Sequence, residues 1–113
     1  MHRLGREMKV TATLPDGTVK PLVWVTDWDF NWQQTYAFRQ PLKLPHGSRL
    51  ELVASYDNSE KNPNNPNRPP KLVSWGPQTT DEMCLAFFAY TVDSEHLSQS
   101  AHLDSPLDAI ELR

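Results

Sequence analysis

Met83 follows two acids and precedes the chain's single cysteine in "TTDEMCLAFFAY", residues 79–90. Alone, such a methionine reads as packing, because a flexible thioether fills irregular gaps in a core. Beside a histidine it becomes half of a soft donor set. Thioethers favour Cu(I) and imidazole also suits copper, so a His-plus-Met pair points to copper rather than to zinc or magnesium. Four histidines are available: His2, His46, His96 and His102. His46 falls in a Pro/Gly turn, and His96 and His102 fall in a polar, aperiodic tail; all three read as surface residues. His2 differs, because it lies on the apolar face at the end of the first strand, where ligands and loops gather.

The strand assignments come from period-two patterning. Even positions His2, Leu4, Arg6, Met8, Val10, Ala12 and Leu14 are largely apolar, and the odd positions between them are polar. Such alternation marks a half-buried strand. "PDGT" at 15–18 and "PHGS" at 45–48 are turn signals with glycine placed for positive φ. Between and after them, "VKPLVWVTDW", "FNWQQTYAFRQPLKL", "RLELVASYD" and "KLVSWG" read as further strands. "NSEKNPNNPNRPP", residues 58–70, shows no strand or helix period and reads as a long irregular loop. "EMCLAFFAYTV" is apolar on both faces, as a central strand of a sandwich is. Many short strands with Gly/Pro turns predict an all-β fold, an antiparallel jelly-roll-like β-sandwich in a single domain. Residues 1–92 would form that domain and 93–113 a polar C-terminal tail, in which "SPLDAIEL" has room for one helical turn.

Composition narrows the function classes. The chain has 113 residues, 11 Lys and Arg against 14 Asp and Glu, and a net charge of −3. There is no basic run to bind nucleic acid. No apolar stretch approaches the roughly 18 residues of a membrane helix, and no basic-then-apolar leader opens the chain. One cysteine rules out an internal disulfide and a zinc-type cysteine cluster. The acids Asp27, Asp29, Asp57, Asp81 and Glu82 form no twelve-residue calcium loop; Asp81 and Glu82 read as capping or turning the chain into the last strand.

Taken in order, "HRLGREMKV", "WDFNWQ", "YDNS…NPNNPN…PP" and "WG…T.DEMC" resemble the C-terminal domain of the copper type II, ascorbate-dependent monooxygenases, over about residues 1 to 92. That family includes peptidylglycine α-hydroxylating monooxygenase and dopamine β-monooxygenase, and the Asn/Pro-rich loop is similar to that of bacterial members. The resemblance implies a copper site of the His/His/Met type. His2 matches the second histidine of the family's His-x-His pair, Leu4 and Gly5 match the Leu-Gly after it, and Met83 matches the methionine. The first histidine would stand before Met1, so the chain reads as a shortened form that starts inside the metal motif, with one copper ion at an incomplete site. Also implied are an N-terminal domain with a second copper as partner, ascorbate as reductant, a small-molecule substrate hydroxylated at a C–H bond with O2, and a periplasmic or secreted location. Turnover by this chain alone is not expected.

Other residues follow from the same mapping. Leu85, Phe87 and Ala89 share the strand face of Met83 and become substrate-pocket candidates, with core packing as the alternative. In animal relatives the cysteine matching Cys84 forms a disulfide; here the corresponding place holds Ala54, so Cys84 is expected to be a buried free thiol. Trp24, Trp28, Phe30 and Trp32 form an aromatic stripe on even positions. They read as scaffold, since aromatics dominate core energetics. An exposed stripe would instead favour a non-catalytic jelly-roll module that binds carbohydrate or a protein partner.

Overall fold

The computed structural model describes residues 1–95. His96, His102 and the "SPLDAIEL" segment lie outside the described residues. Three strands form one antiparallel sheet: β1 (Gly5–Thr13), β2 (Val19–Val25) and β3 (Arg49–Tyr56), in the order β2-β1-β3. β1 is central because its apolar positions are the most continuous. Met8, Val10 and Ala12 are buried on it, and Leu4 is buried at its entry. The fold class is all-β, as the alternation predicts.

The turn after β1 forms as its sequence requires. Gly17 has φ +84° and donates to the Leu14 carbonyl at 2.9 Å, Leu14 N–H bonds Thr18 O at 2.8 Å, and the Asp16 carboxylate accepts from Thr18 N–H at 2.8 Å. Gly47, φ +87°, does the same service in the turn before β3. Pro21 is tolerated within β2 because β2 is an edge strand, whose outer face asks for no ladder hydrogen bond.

Two irregularities were not foreseen. Gly5 pairs with Tyr56 and Glu7 with Ser55, so Arg6 is an extra residue in β1, a β-bulge. The bulge explains why Arg6 is exposed despite its even number. It also frees the Arg6 carbonyl, which accepts from Trp28 N–H at 2.9 Å and brings the chain after β2 back over the start of β1. A second slip lies between Val10 and Thr11, opposite Pro21–Val23.

Three expectations need correction. The run after Glu82 is not a central strand. Its one ladder contact is an isolated parallel bridge, Trp75 to Glu82, and Phe87 and Tyr90 are 92% and 83% exposed. Apolar periodicity reveals a tendency to be covered, but a strand needs a neighbour for its backbone, and none of the described residues supplies one. "FNWQQTYAFRQPLKL" likewise forms no strand, and the strands of the described residues make one sheet. Cys84 is exposed rather than buried, since it belongs to that same unpaired run.

The Asn/Pro segment is more regular than its composition suggests. Asn62 Oδ1 accepts from Asn64 N–H at 3.0 Å, and Asn65 Oδ1 accepts from Asn67 N–H at 2.9 Å. "NPN" thus occurs twice in tandem, each time as an Asx turn, a short polar side chain bonding its own backbone two residues on. Asn62 and Asn65 are buried, and their amides anchor the loop to the end of β3: Asn62 Nδ2 donates to Asp57 O at 2.7 Å, and Asn65 Nδ2 to Asn58 Oδ1 at 3.0 Å. Asn62→Ala removes two bonds at a buried position. It is expected to lower unfolding free energy by about 1.5 kcal/mol, the cost of unmet buried polar groups, read by denaturant titration. Asn64→Ala, whose side chain is exposed, serves as the near-neutral control.

Candidate metal centre

His2 sits just before β1 and is buried, with 8% exposure. Five contacts fix it. Its backbone N–H donates to Glu82 Oε2 at 2.8 Å. Its carbonyl accepts from Trp28 Nε1 at 3.0 Å and from Gly5 N–H at 3.3 Å. Its ring meets Phe30 edge to face, with centroids 5.8 Å apart and planes at 88°. Finally, Nδ1 lies 3.0 Å from the Asp81 carbonyl oxygen. A carbonyl can only accept, so in the neutral ring Nδ1 carries the proton and Nε2 keeps its lone pair. This is the usual outer-shell arrangement of a metal-ligating histidine.

Met83 is half-buried at the far end of the same constellation. Its N–H faces Glu82 Oε2 at 3.3 Å, and its carbonyl accepts from the Tyr56 hydroxyl at 2.9 Å. Burial of the hydroxyl and the neighbouring Cys84 thiol push the Tyr56 phenol above its ordinary value, so it stays a donor. The turn carrying Met83 is held by reciprocal backbone bonds, Gly76 N–H to Glu82 O and Glu82 N–H to Ser74 O, both 3.1 Å. Asp81 N–H bonds Gln78 O at 2.9 Å, and Asp81 Oδ2 accepts from Gln78 N–H at 3.2 Å, the turning role its sequence position suggested.

His2 and the Asp81–Met83 segment are therefore brought together, 80 residues apart in the chain. Leu85, Phe87 and Ala89 are exposed along the unpaired run. They do not line the cleft that borders Arg3 and Phe30. That cleft, of about 240 Å³, is lined by Arg3, Asp29, Phe30, Asn31, Asn64 and Thr79. His46 is exposed in its turn. The aromatic stripe is split. Trp24 is 59% exposed on the outer face of the sheet, with its indole N–H on Glu7 and Lys9 over its ring at 5.1 Å. Trp28 and Phe30 hold His2, and Trp32 is 68% exposed. Trp24 lies outside because Val10 pairs with Val23 and Met8 with Val25, which puts Val23 and Val25 on the core face and Trp24 opposite Lys9 on the other. The scaffold assignment holds for Trp28 and Phe30 and fails for Trp24 and Trp32.

Glu82 is the residue that sequence reasoning misplaced. Its sequence position suggests local capping, yet its carboxylate accepts from His2 and Leu4 N–H just before β1. No spacing rule in the chain signals so long-range a contact. Among the described residues, no three His, Cys, Asp or Glu side chains cluster as a metal site, and no helix is long and apolar enough to cross a membrane. The donor chemistry that is present, one imidazole with an oriented Nε2 and one thioether, suits Cu(I).

The all-β fold brings the backbones of His2 and Met83 to a single carboxylate, that of Glu82. The family model for "copper type II ascorbate-dependent monooxygenase, C-terminal domain" matches residues 1–104, and the chain belongs to that family. Its members depend on copper and ascorbate, and in full enzymes this domain works with an N-terminal partner domain. No curated protein and no solved structure matches the chain.

Proposed function

We propose that His2 and Met83 are two of the ligands of the copper ion at which this family activates dioxygen, and that the complete site is of the His/His/Met type. What supports this most is the joint anchoring of both residues to the Glu82 carboxylate, which links the two halves of the donor set across 80 residues. The Asp81 carbonyl orients the His2 ring so that Nε2 is the donor nitrogen. The Met83 thioether favours the reduced ion. Bound copper supplies the one-electron chemistry by which one atom of O2 enters a substrate C–H bond, with ascorbate as electron source. This chain's own part is to hold the donors and to keep water from the buried His2 face with Phe30 and Trp28.

Residues 1–92 form the domain proper and 93–113 its polar tail. The substrate is a small molecule, and the apolar positions Leu85, Phe87 and Ala89 face it when the partner domain covers them.

An anaerobic Cu(I) competition titration tests the assignment. The chain is expected to bind one ion. His2→Ala and Met83→Ala are each expected to weaken it at least about tenfold, or 1.4 kcal/mol, while His46→Ala leaves it unchanged. Equal affinity in all four proteins would sink the proposal.

A further inference from the structure

Glu82 accepts three backbone N–H groups with one carboxylate. Leu4 N–H reaches Oε1 at 2.6 Å, His2 N–H reaches Oε2 at 2.8 Å, and Met83 N–H reaches Oε2 at 3.3 Å. His2 and Leu4 precede or border the sheet. Their N–H groups have no ladder partner, so without Glu82 these part-buried donors would go unmet. Bonds to an ionised acceptor are also about twice as strong as neutral ones. Glu82 itself cannot drift, because its N–H and carbonyl are bonded to Ser74 and Gly76.

We propose that Glu82 is a positioning residue for the copper site: its carboxylate fixes the distance between the His2 and Met83 backbones, and through them the two donors. Three of its roughly four acceptor sites are taken by backbone N–H donors, so its role is to hold the main chain. Two further contacts stiffen the same unit. Trp28 Nε1 holds the His2 carbonyl, and the Asp81 carbonyl holds Nδ1 of its ring, so the segment 81–83 grips His2 through main chain and side chain together. This inference rests on the assignment of His2 and Met83 as ligands. Outer-shell groups of this kind typically change metal affinity by about 10- to 100-fold.

The test compares the wild-type chain with Glu82→Gln, Glu82→Asp and Met83→Ala. Each is checked for fold by far-UV circular dichroism, for amide exchange at His2 and Leu4 without metal, for Cu(I) affinity, and for copper–sulfur scattering in X-ray absorption. Glu82→Gln keeps one acceptor oxygen and loses the other. The expected result is a folded protein in which the His2 or Leu4 amide exchanges faster, Cu(I) binds about 10- to 100-fold more weakly, and the sulfur shell is lost or lengthened. A merely structural carboxylate would lower the melting temperature and leave the sulfur shell as it is. Wild-type affinity and sulfur shell in folded Glu82→Gln, with Met83→Ala impaired, overturn the role of Glu82 and leave the ligand assignment standing. Unimpaired Met83→Ala overturns both. If Glu82→Gln does not fold, Glu82→Asp, which keeps the charge and withdraws it by one methylene, decides on the same criteria.

Discussion

Gly5→Ala is expected to destabilise the chain by about 3 kcal/mol, at the upper end of what overpacking usually costs. A Cβ at position 5 would lie 2.8 Å from Trp28 Cδ1, 3.0 Å from Met1 Cβ and 3.1 Å from Trp28 Nε1. Its φ is not positive, so the requirement for glycine is one of space and not of backbone conformation. The neighbour that must give way is an indole ring, not the loose end of a flexible side chain. Moving it breaks the Trp28–His2 bond of 3.0 Å and strains the Trp28–Arg6 bond of 2.9 Å. The Leu-Gly pair after His2 thus has a physical reason: leucine is core, and glycine lets the Trp28 ring come close enough for its N–H to reach the His2 carbonyl. Urea unfolding followed by tryptophan fluorescence measures the loss. A double-mutant cycle locates it. In a Trp28→Leu background the added methyl is expected to cost less than about 1 kcal/mol, whereas an undiminished cost would place the strain elsewhere.

How much of this was legible beforehand depends on whether the governing contacts are local. β1 and the turn after it were readable, because alternation and the Asp-Gly pair are decided within a few residues. The burial of Met8, Val10 and Ala12 follows directly from that alternation. The Arg6 bulge was not readable, since it arises from the register of β1 against β3. The same holds for Trp24, whose outward position is set by pairing with Lys9 on the polar face of β1. Residues 83–92 carry the pattern of a central strand, and most of those after Met83 are left exposed, because hydrophobicity says that a segment seeks cover without saying who provides it. The tandem "NPN" turns were visible in principle, as each obeys a two-residue rule, but composition drew attention away from spacing.

The candidate site divides along the same line. His2 stood out because a histidine on an apolar strand face is unusual, and Met83 stood out through its donor chemistry and through resemblance. The groups that orient them were hidden. The Asp81 carbonyl is main chain and has no residue signature, and the reach of Glu82 across 78 and 80 residues is a product of the fold. Elements that bear donors can therefore be named from sequence, whereas the contacts that make a site of them are tertiary.

Gly76→Ala is expected to damage that tertiary part while leaving every donor in place. Gly76 is buried, and a Cβ there would overlap the Asp81 carboxylate, lying 2.7 Å from Asp81 Cγ and 3.0 Å from Asp81 Cβ. Relief requires Asp81 to move. Its carboxylate then loses Gln78 N–H, and its carbonyl, the acceptor facing His2 Nδ1, moves with it. Glu82 is the next residue, so the carboxylate that holds His2, Leu4 and Met83 is displaced as well. The expected cost is about 3 kcal/mol of stability, which is roughly 12–24 °C in melting temperature for a domain of this size, with at least a tenfold loss of Cu(I) affinity. Asp81→Ala in the Gly76→Ala background separates the two causes. It removes the clashing carboxylate and keeps the carbonyl that orients His2, so most of the stability and affinity is expected to return. Failure of the double variant to recover would mean that the constraint at Gly76 lies in the backbone of the 76–82 turn and not in the Asp81 side chain.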